Sequence, residues 1–440
     1  MSSVLTDNLF DECISGGSGA RSTSFLPRAT SALAVAIGFS IPVSTSLAEI
    51  VTSLFMLSWC LEGNLRFRVR QLADNPAARL SLGMFALLFV AMTWSSASWY
   101  EAARCLLKYR EFLYLPLLIP VFRQQPRLKS LAMHGFTLGA TSMLLLSYFE
   151  WLSGIDVGLA SSPNDYVIAK DRIIHSLLMA LLVYFSAQQL VEKESTRTGK
   201  WIHAAIIALA APNILFLVQG RTGYVLLGLL TILFMGQQFG RRGLVVAGLL
   251  VALAAGGAYS TSATVRARVA QTVLQLKNQF GWSTEKVWDP RLEYYSNTIG
   301  LIGRHPLLGT GTGSFSREYA ALAQSRGLAP TTDPHNEYLH LAAQAGLPAA
   351  SLFIAMLVLQ CLWAGRLSAY DARIARGVAV AIAIGSLFNS LILSITGGLV
   401  WSYFSAIAMS DWERAAAEPA KVDETAVTRQ TNAASVSRAA

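Results

Sequence analysis

Apolar runs approaching 20 residues recur along almost the whole chain, each followed by a short polar or basic linker. A helix of about 20 apolar residues is long enough to cross the hydrocarbon of a bilayer. The runs cover roughly 29–43, 46–62, 80–96, 99–122, 130–152, 173–190, 201–219 and 222–238, with a ninth reaching about 260. Three more follow at 339–364, 375–394 and 396–412. The pattern predicts an all-α integral membrane protein of about 12 transmembrane helices. One long polar interval breaks it, at 261–337. Within it, 265–280 and 290–303 place apolar residues at helical spacing, which predicts amphipathic helices lying over one membrane face. The chain divides into a Ser- and Gly-rich tail expected to be disordered (1–27), nine helices (28–260) and the polar helical loop (261–337). Three closing helices (338–412) and a second tail expected to be disordered (413–440) complete it.

Composition agrees with this reading. The chain is 53% hydrophobic and 14% charged, whereas soluble domains carry roughly 25% charged residues. The formal charge of +9 does not indicate a nucleic-acid partner, because the basic residues cluster in the linkers between apolar runs. Alternate linkers hold Arg66, Arg68, Arg70 and Arg79; then Arg123, Arg127 and Lys129; then Lys193, Arg197 and Lys200; then Arg241 and Arg242; then Arg366, Arg373 and Arg376. The excess of positive charge on cytoplasmic loops puts all five inside. Both termini are then cytoplasmic, and the 153–172 loop, the turn at Arg221 and the 261–337 loop face outward. Cys13, Cys60, Cys105 and Cys361 all lie outside the polar loop, so neither a disulfide nor a cysteine metal site is expected. The first apolar run begins too late for a cleavable signal peptide and lacks its cleavage pattern.

Candidate chemistry gathers in and around the polar loop. In DPHNEYLHLAAQAGLP (333–348), Asp333 is suited to cap a helix and Pro334 to occupy its first position. That would put His335 in the first turn, where a cation is disfavoured and a neutral imidazole can accept a proton. A polar helix-start residue is the bland alternative. Arg221, in QGRTGY (219–224), begins the eighth run, where free helix amides and a guanidinium together form an anion site. Its alternative is an interfacial Arg reaching to headgroups. Arg291 either pairs with Asp289 or Glu293 or adds a second positive charge for the same anion. Glu101, Arg104, Lys108 and Glu111 fall on one arc of the fourth run, as an internal ion-pair ladder or with Arg104 and Lys108 facing a phosphate. Arg110 lies on the opposite face. His335 and His340 are five apart, off the i,i+4 spacing, and no carboxylate–His set has metal-ligand spacing. GTGTG (309–313) lacks the Lys of a phosphate-binding P-loop and reads as a tight turn.

These residues resemble bacterial O-antigen ligases, within the group that also holds O-antigen polymerases and O-linked oligosaccharyltransferases. The likeness rests on the multi-span pattern, the late polar loop, GRHPLLGTGTGSF (303–315) and HNEYLHLAAQAG (335–346). His335, Asn336 and Gly346 fit the ligase spacing of a His, a small polar residue, nine residues and a Gly; Ala349 stands where the family often has Gly, Thr or Tyr. Arg221 and Arg291 fit its two outward arginines. The resemblance implies a GT-C-like glycosyltransferase of the bacterial inner membrane with its site facing the periplasm. Its donor would be polysaccharide on undecaprenyl diphosphate and its acceptor a sugar hydroxyl of lipid A–core. Arg221 and Arg291 would hold the diphosphate, with Asn336, Arg104 and Lys108 as further substrate contacts. His335 would act as the base in one inverting displacement, without metal or other cofactor. A polymerase or a protein glycosylase would differ only in acceptor. A transporter of lipid-linked saccharide would call for inverted repeats and broken helices, neither of which is legible in the sequence.

Overall fold

The computed structural model describes residues 25–63, 74–155, 166–168, 171–218, 220–279 and 290–412. Arg66, Arg68, Arg70, Asp289, Cys13 and nearly all of both tails lie outside them. Among the described residues the chain is helical, with no strand. Among the described residues, six helices are long and apolar enough to cross a membrane: Phe25–Val43, Pro76–Trp94, Arg172–Val191, Arg197–Leu217, Arg221–Thr261 and Glu337–Arg366. Thr45–Leu61 and Ile395–Met409 are shorter apolar helices.

The helices begin where small polar side chains satisfy their first amides. Helix α1 (Phe25–Val43) turns into α2 (Thr45–Leu61) through Ser44, whose hydroxyl accepts from the Leu47 amide. Asn75 caps α3 (Pro76–Ala91), and its side-chain amide also holds the Met409 carbonyl. That bond ties the start of α3 to the last apolar helix. Helix α6 (Arg127–Ser153) packs along α1, while α7 (Arg172–Val191), capped by Asp171, is enclosed by its neighbours. Helix α8 (Arg197–Pro212) lies against α7 and continues as a π-helical turn over Asn213–Leu217.

The run at 99–122 is two helices rather than one. A Ser98–Glu101 capping box starts α4 (Trp99–Lys108), which stops at Tyr109, and α5 (Glu111–Gln124) begins afresh. The break removes the common charged arc. Glu111 is buried, Glu101, Arg104 and Lys108 are exposed, and the Glu101 carboxylate turns back onto Ser98. Arg104 instead lies over the Tyr100 ring, 5.6 Å from its centre. Arg110 pairs with Glu49 at 2.8 Å.

The eighth and ninth runs form α9 (Arg221–Thr261), which folds back at Gly240 (φ 58°, ψ −140°). Gly236 faces Leu244, and Gly228 faces Val251, so the two arms run side by side. The polar loop supplies α10 (Ala263–Gln279), α11 (Pro290–Arg304) and α12 (Phe315–Arg326). The first two match the helical spacing read from the sequence. Helix α12 was not expected, although Phe315, Tyr319 and Leu322 carry that spacing too. Leu301, Ile302, Phe315, Tyr319 and Leu322 form a small core of their own against Ala342, Ala343 and Ala350 of α13 (Glu337–Trp363). The run at 375–394 is shorter than its hydropathy suggests: α14 (Ala369–Gly385) ends early, and 386–394 turns irregularly before α15 (Ile395–Met409).

Broken helices are present after all. Helix α13 is interrupted at Ala345 and Gly346. Gly346 has φ +77°, and a Cβ there would sit 2.1 Å from the Leu307 carbonyl oxygen. Only glycine permits both the left-handed backbone and that approach. The gap is filled by the chain itself, with the Leu347 amide donating to the Pro306 carbonyl at 2.7 Å.

Candidate active site

Helix starts converge on one cavity of about 490 Å³, lined among others by Arg172, Arg221, Arg268, Arg291, His335 and Asn389. Arg172 opens α7, Arg221 opens α9, and Arg291 lies in the first turn of α11. Such helix ends carry partial positive charge and outward amides, which favour an anion. Gly220 caps α9 with no side-chain bond to its amides. Gly223 allows that end to approach α7 closely, since a Cβ there would lie 2.6 Å from the Ser176 hydroxyl. Arg221 thus reaches the same cavity as Arg172. Its Nη1 donates to Gln275 Oε1 at 2.9 Å and Thr272 Oγ1 at 3.2 Å, which fixes the guanidinium against α10. Asp171 is the carboxylate among the described lining residues, and it accepts from the Ile173 and Ile174 amides as a cap.

A second cavity of about 350 Å³ adjoins the first and shares Arg221, Thr222 and Arg291 with it. Its remaining wall includes Val225, Leu292, Tyr295 and Phe388. The two arginines therefore stand where a mostly apolar chamber meets a polar one.

His335 is not in the first helical turn. Asn336 is the cap of α13, accepting from the Leu339 amide at 3.0 Å, and His335 precedes it at φ 56°. Among the described residues it is the one non-glycine at positive φ. Such a conformation persists only when the surroundings enforce it. Asp333 and Tyr295 do so: the His335 amide donates to Asp333 Oδ1 at 2.8 Å, and the Tyr295 hydroxyl lies 3.2 Å from the His335 carbonyl and 2.9 Å from that of Leu387. The ring Nδ1 is 3.3 Å from Asn389 Oδ1 and 3.6 Å from Asp333 Oδ2.

The structure brings together Arg221, Arg291 and His335. It does not bring Arg104 or Lys108 to them: both are exposed on α4 and line neither cavity. Asn336 lies beside His335, but its side chain caps α13 and donates to the Leu387 carbonyl at 3.2 Å. His340 is buried in a directed chain of hydrogen bonds. Gln344 Nε2 donates to His340, His340 Nδ1 to the Tyr109 hydroxyl, and Tyr109 to Glu337 Oε1. Glu337 Oε2 accepts from the Ile392 and Leu393 amides. The chain holds the site's elements together without lining the cavity. The 309–313 turn has glycines at positive φ, and its amides are spent internally. Thr310 donates to Ala343, Gly311 to Gln344, Thr312 to Ala91, and Gly313 to Gln344 Oε1. It has no amides to offer a phosphate.

Residues 203–354 match a family model described as O-antigen ligase. The match supports membership of the O-antigen ligase/polymerase family. Arg221, Arg291 and His335 all lie inside the matched stretch, as do α10 to α12 and the break at Gly346. No curated protein matches the chain. The sequence does not single out Arg172, Arg268 or Asn389 as cavity residues, nor Asp333 as a neighbour of the His335 ring. Arg172 and Arg268 read as ordinary polar-segment arginines, and Asn389 sits inside an apolar run. Asp333 reads from the sequence as a helix cap; in the structure Asn336 caps α13, and Asp333 accepts from the His335 amide.

Proposed function

We propose that this chain, whose residues 203–354 match the O-antigen ligase family model, is an inverting O-antigen ligase. It transfers polysaccharide from undecaprenyl diphosphate to a sugar hydroxyl of lipid A–core at the periplasmic face of the inner membrane. The observation that carries the proposal is the meeting of Arg221, Arg291 and His335 at one cavity, whose two arginines also line a second, more apolar one. The diphosphate sits between the arginines, with its lipid toward Val225 and Phe388 and its first sugar toward His335. The acceptor oxygen attacks the anomeric carbon, and its proton passes to the His335 ring. The bond from that carbon to the diphosphate breaks, and the electron pair leaves with the undecaprenyl diphosphate. The arginines stabilise the charge that develops there. No nucleotide is consumed, because the diphosphate linkage already carries the driving force, and the arginines take the part a metal plays elsewhere.

The same reading gives about 12 spans in a GT-C-like arrangement, with 261–337 as a periplasmic loop and both termini cytoplasmic. The test is transfer by purified full-length protein given a lipid-linked polysaccharide and lipid A–core. His335→Ala is expected to abolish transfer and to leave folding and donor binding intact. A His335→Ala protein that transfers normally would remove the base. Transfer to a second lipid-linked repeat unit, with lipid A–core left unmodified, would make the protein a polymerase instead.

A further inference from the structure

We infer that Asp333 is the positioning residue of His335, holding its ring as the Nδ1–H tautomer and so leaving the lone pair on Nε2. The inference rests on the base assignment just made. Two oxygens face Nδ1, one from Asn389 at 3.3 Å and one from Asp333 at 3.6 Å. Asn389 Oδ1 is within hydrogen-bond distance and the Asp333 carboxylate lies just beyond it; both oxygens only accept, so together they favour the proton on Nδ1. A neutral imidazole with hydrogen on Nδ1 has its acceptor at Nε2, the atom a base needs. A base with the opposite tautomer presents a donor to the incoming hydroxyl.

The carboxylate is itself fixed. Its Oδ1 accepts the Ser390 hydroxyl at 2.5 Å and the His335 amide at 2.8 Å. Oδ2 is thereby turned toward the ring. The side chain of Asp333 is partly enclosed, at 22% exposure against 38% for His335, so water does not fully screen the pair. Asp333 and His335 come from the segment before α13, and Asn389 and Ser390 from the irregular turn after α14. The Glu337 carboxylate, at the start of α13, ties that helix to the turn by accepting from the Ile392 and Leu393 amides. As His335 takes the acceptor proton it becomes cationic, and Asp333 offsets a charge that the cavity arginines oppose.

The discriminating variant is Asp333→Asn. Its Oδ1 still accepts from the His335 amide and Ser390, so the turn is kept, while the side-chain NH2 puts a neutral donor where the carboxylate oxygen faced Nδ1. Purified full-length protein is assayed with excess lipid-linked donor and lipid A–core, and ¹⁵N-histidine spectra report the His335 tautomer, assigned by difference from His335→Ala. The expected result is a turnover tenfold to a hundredfold lower with an unchanged KM for donor, and a His335 signal that moves from Nδ1–H to a tautomer mixture. That loss is smaller than the roughly 10⁴-fold of a triad whose carboxylate is removed, because Asn389 still accepts from Nδ1. Wild-type turnover, or an unchanged tautomer, in Asp333→Asn overturns the inference. If His335→Ala is inactive while Asp333→Asn is fully active, only the positioning role fails. If His335→Ala is active, the base assignment fails and the positioning role with it.

Discussion

Replacing Arg221 by Lys keeps the positive charge and removes the planar fork. In the structure, Nη1 is committed to Gln275 and Thr272, so Nε and Nη2 form the edge that remains for an anion. That edge can offer parallel hydrogen bonds to two diphosphate oxygens, which a single ammonium does not reproduce. Removing one donor aimed at developing negative charge typically costs about 3 kcal/mol, or roughly a hundredfold in rate. The tie to α10 contributes less, because Arg221 is exposed and a net hydrogen bond there contributes about 1 kcal/mol, or roughly fivefold. Gln275→Ala separates the two contributions, since it cuts the tie and spares the guanidinium. The assay is the single-turnover transfer rate with saturating donor. Arg221→Lys and Arg221→Ala are expected to fall about a hundredfold or more, and Gln275→Ala no more than about tenfold. Normal rates in both Arg221 variants would take this residue out of the mechanism. A normal rate for Lys with a large loss for Ala would keep the charge and reject the fork. Equal losses for Arg221→Ala and Gln275→Ala would reduce Arg221 to a link between α9 and α10.

Two other expectations follow from the fold. Gly346→Ala puts a Cβ against the Leu307 carbonyl at a backbone φ of +77°, so it should cost about 3 kcal/mol or more. Thermal unfolding of the purified variant at the parent's midpoint would contradict that. With Cys13, Cys60, Cys105 and Cys361 replaced by Ser, Ala329→Cys should react with an impermeant thiol reagent added to the periplasm. Lys193→Cys should react only after the membrane is opened, and the reverse pattern would turn the proposed orientation over.

The sequence alone determined the all-helical class, because apolar runs near membrane length admit little else, and it placed most helix starts within a few residues. Arg172–Val191, Arg127–Ser153 and Ala263–Gln279 lie close to where hydropathy and periodicity put them. It also made Arg221, Arg291 and His335 candidates, from their place at polar boundaries and from the family resemblance, with ordinary structural readings open for each. Hydropathy averages over a window, so it passed over interruptions only a few residues long. Tyr109 splits one run, Gly346 breaks another, and 386–394 leaves the helix altogether. Each break is held by partners distant in sequence: Glu337 and His340 on Tyr109, Leu307 against Gly346, and Glu337 on Ile392 and Leu393. No local pattern records such partners. The same holds for the site. Arg104 and Lys108 look suited to a phosphate on a continuous helix, but the helix ends at Tyr109 and neither residue lines either cavity. Arg172, Arg268 and Asn389 looked unremarkable, and packing of α7, α10 and the turn after α14 set them beside His335. The residue types were written in the chain, but which of them share one small volume was decided by long-range contacts, because proximity there depends on hydrogen bonds between segments far apart in sequence.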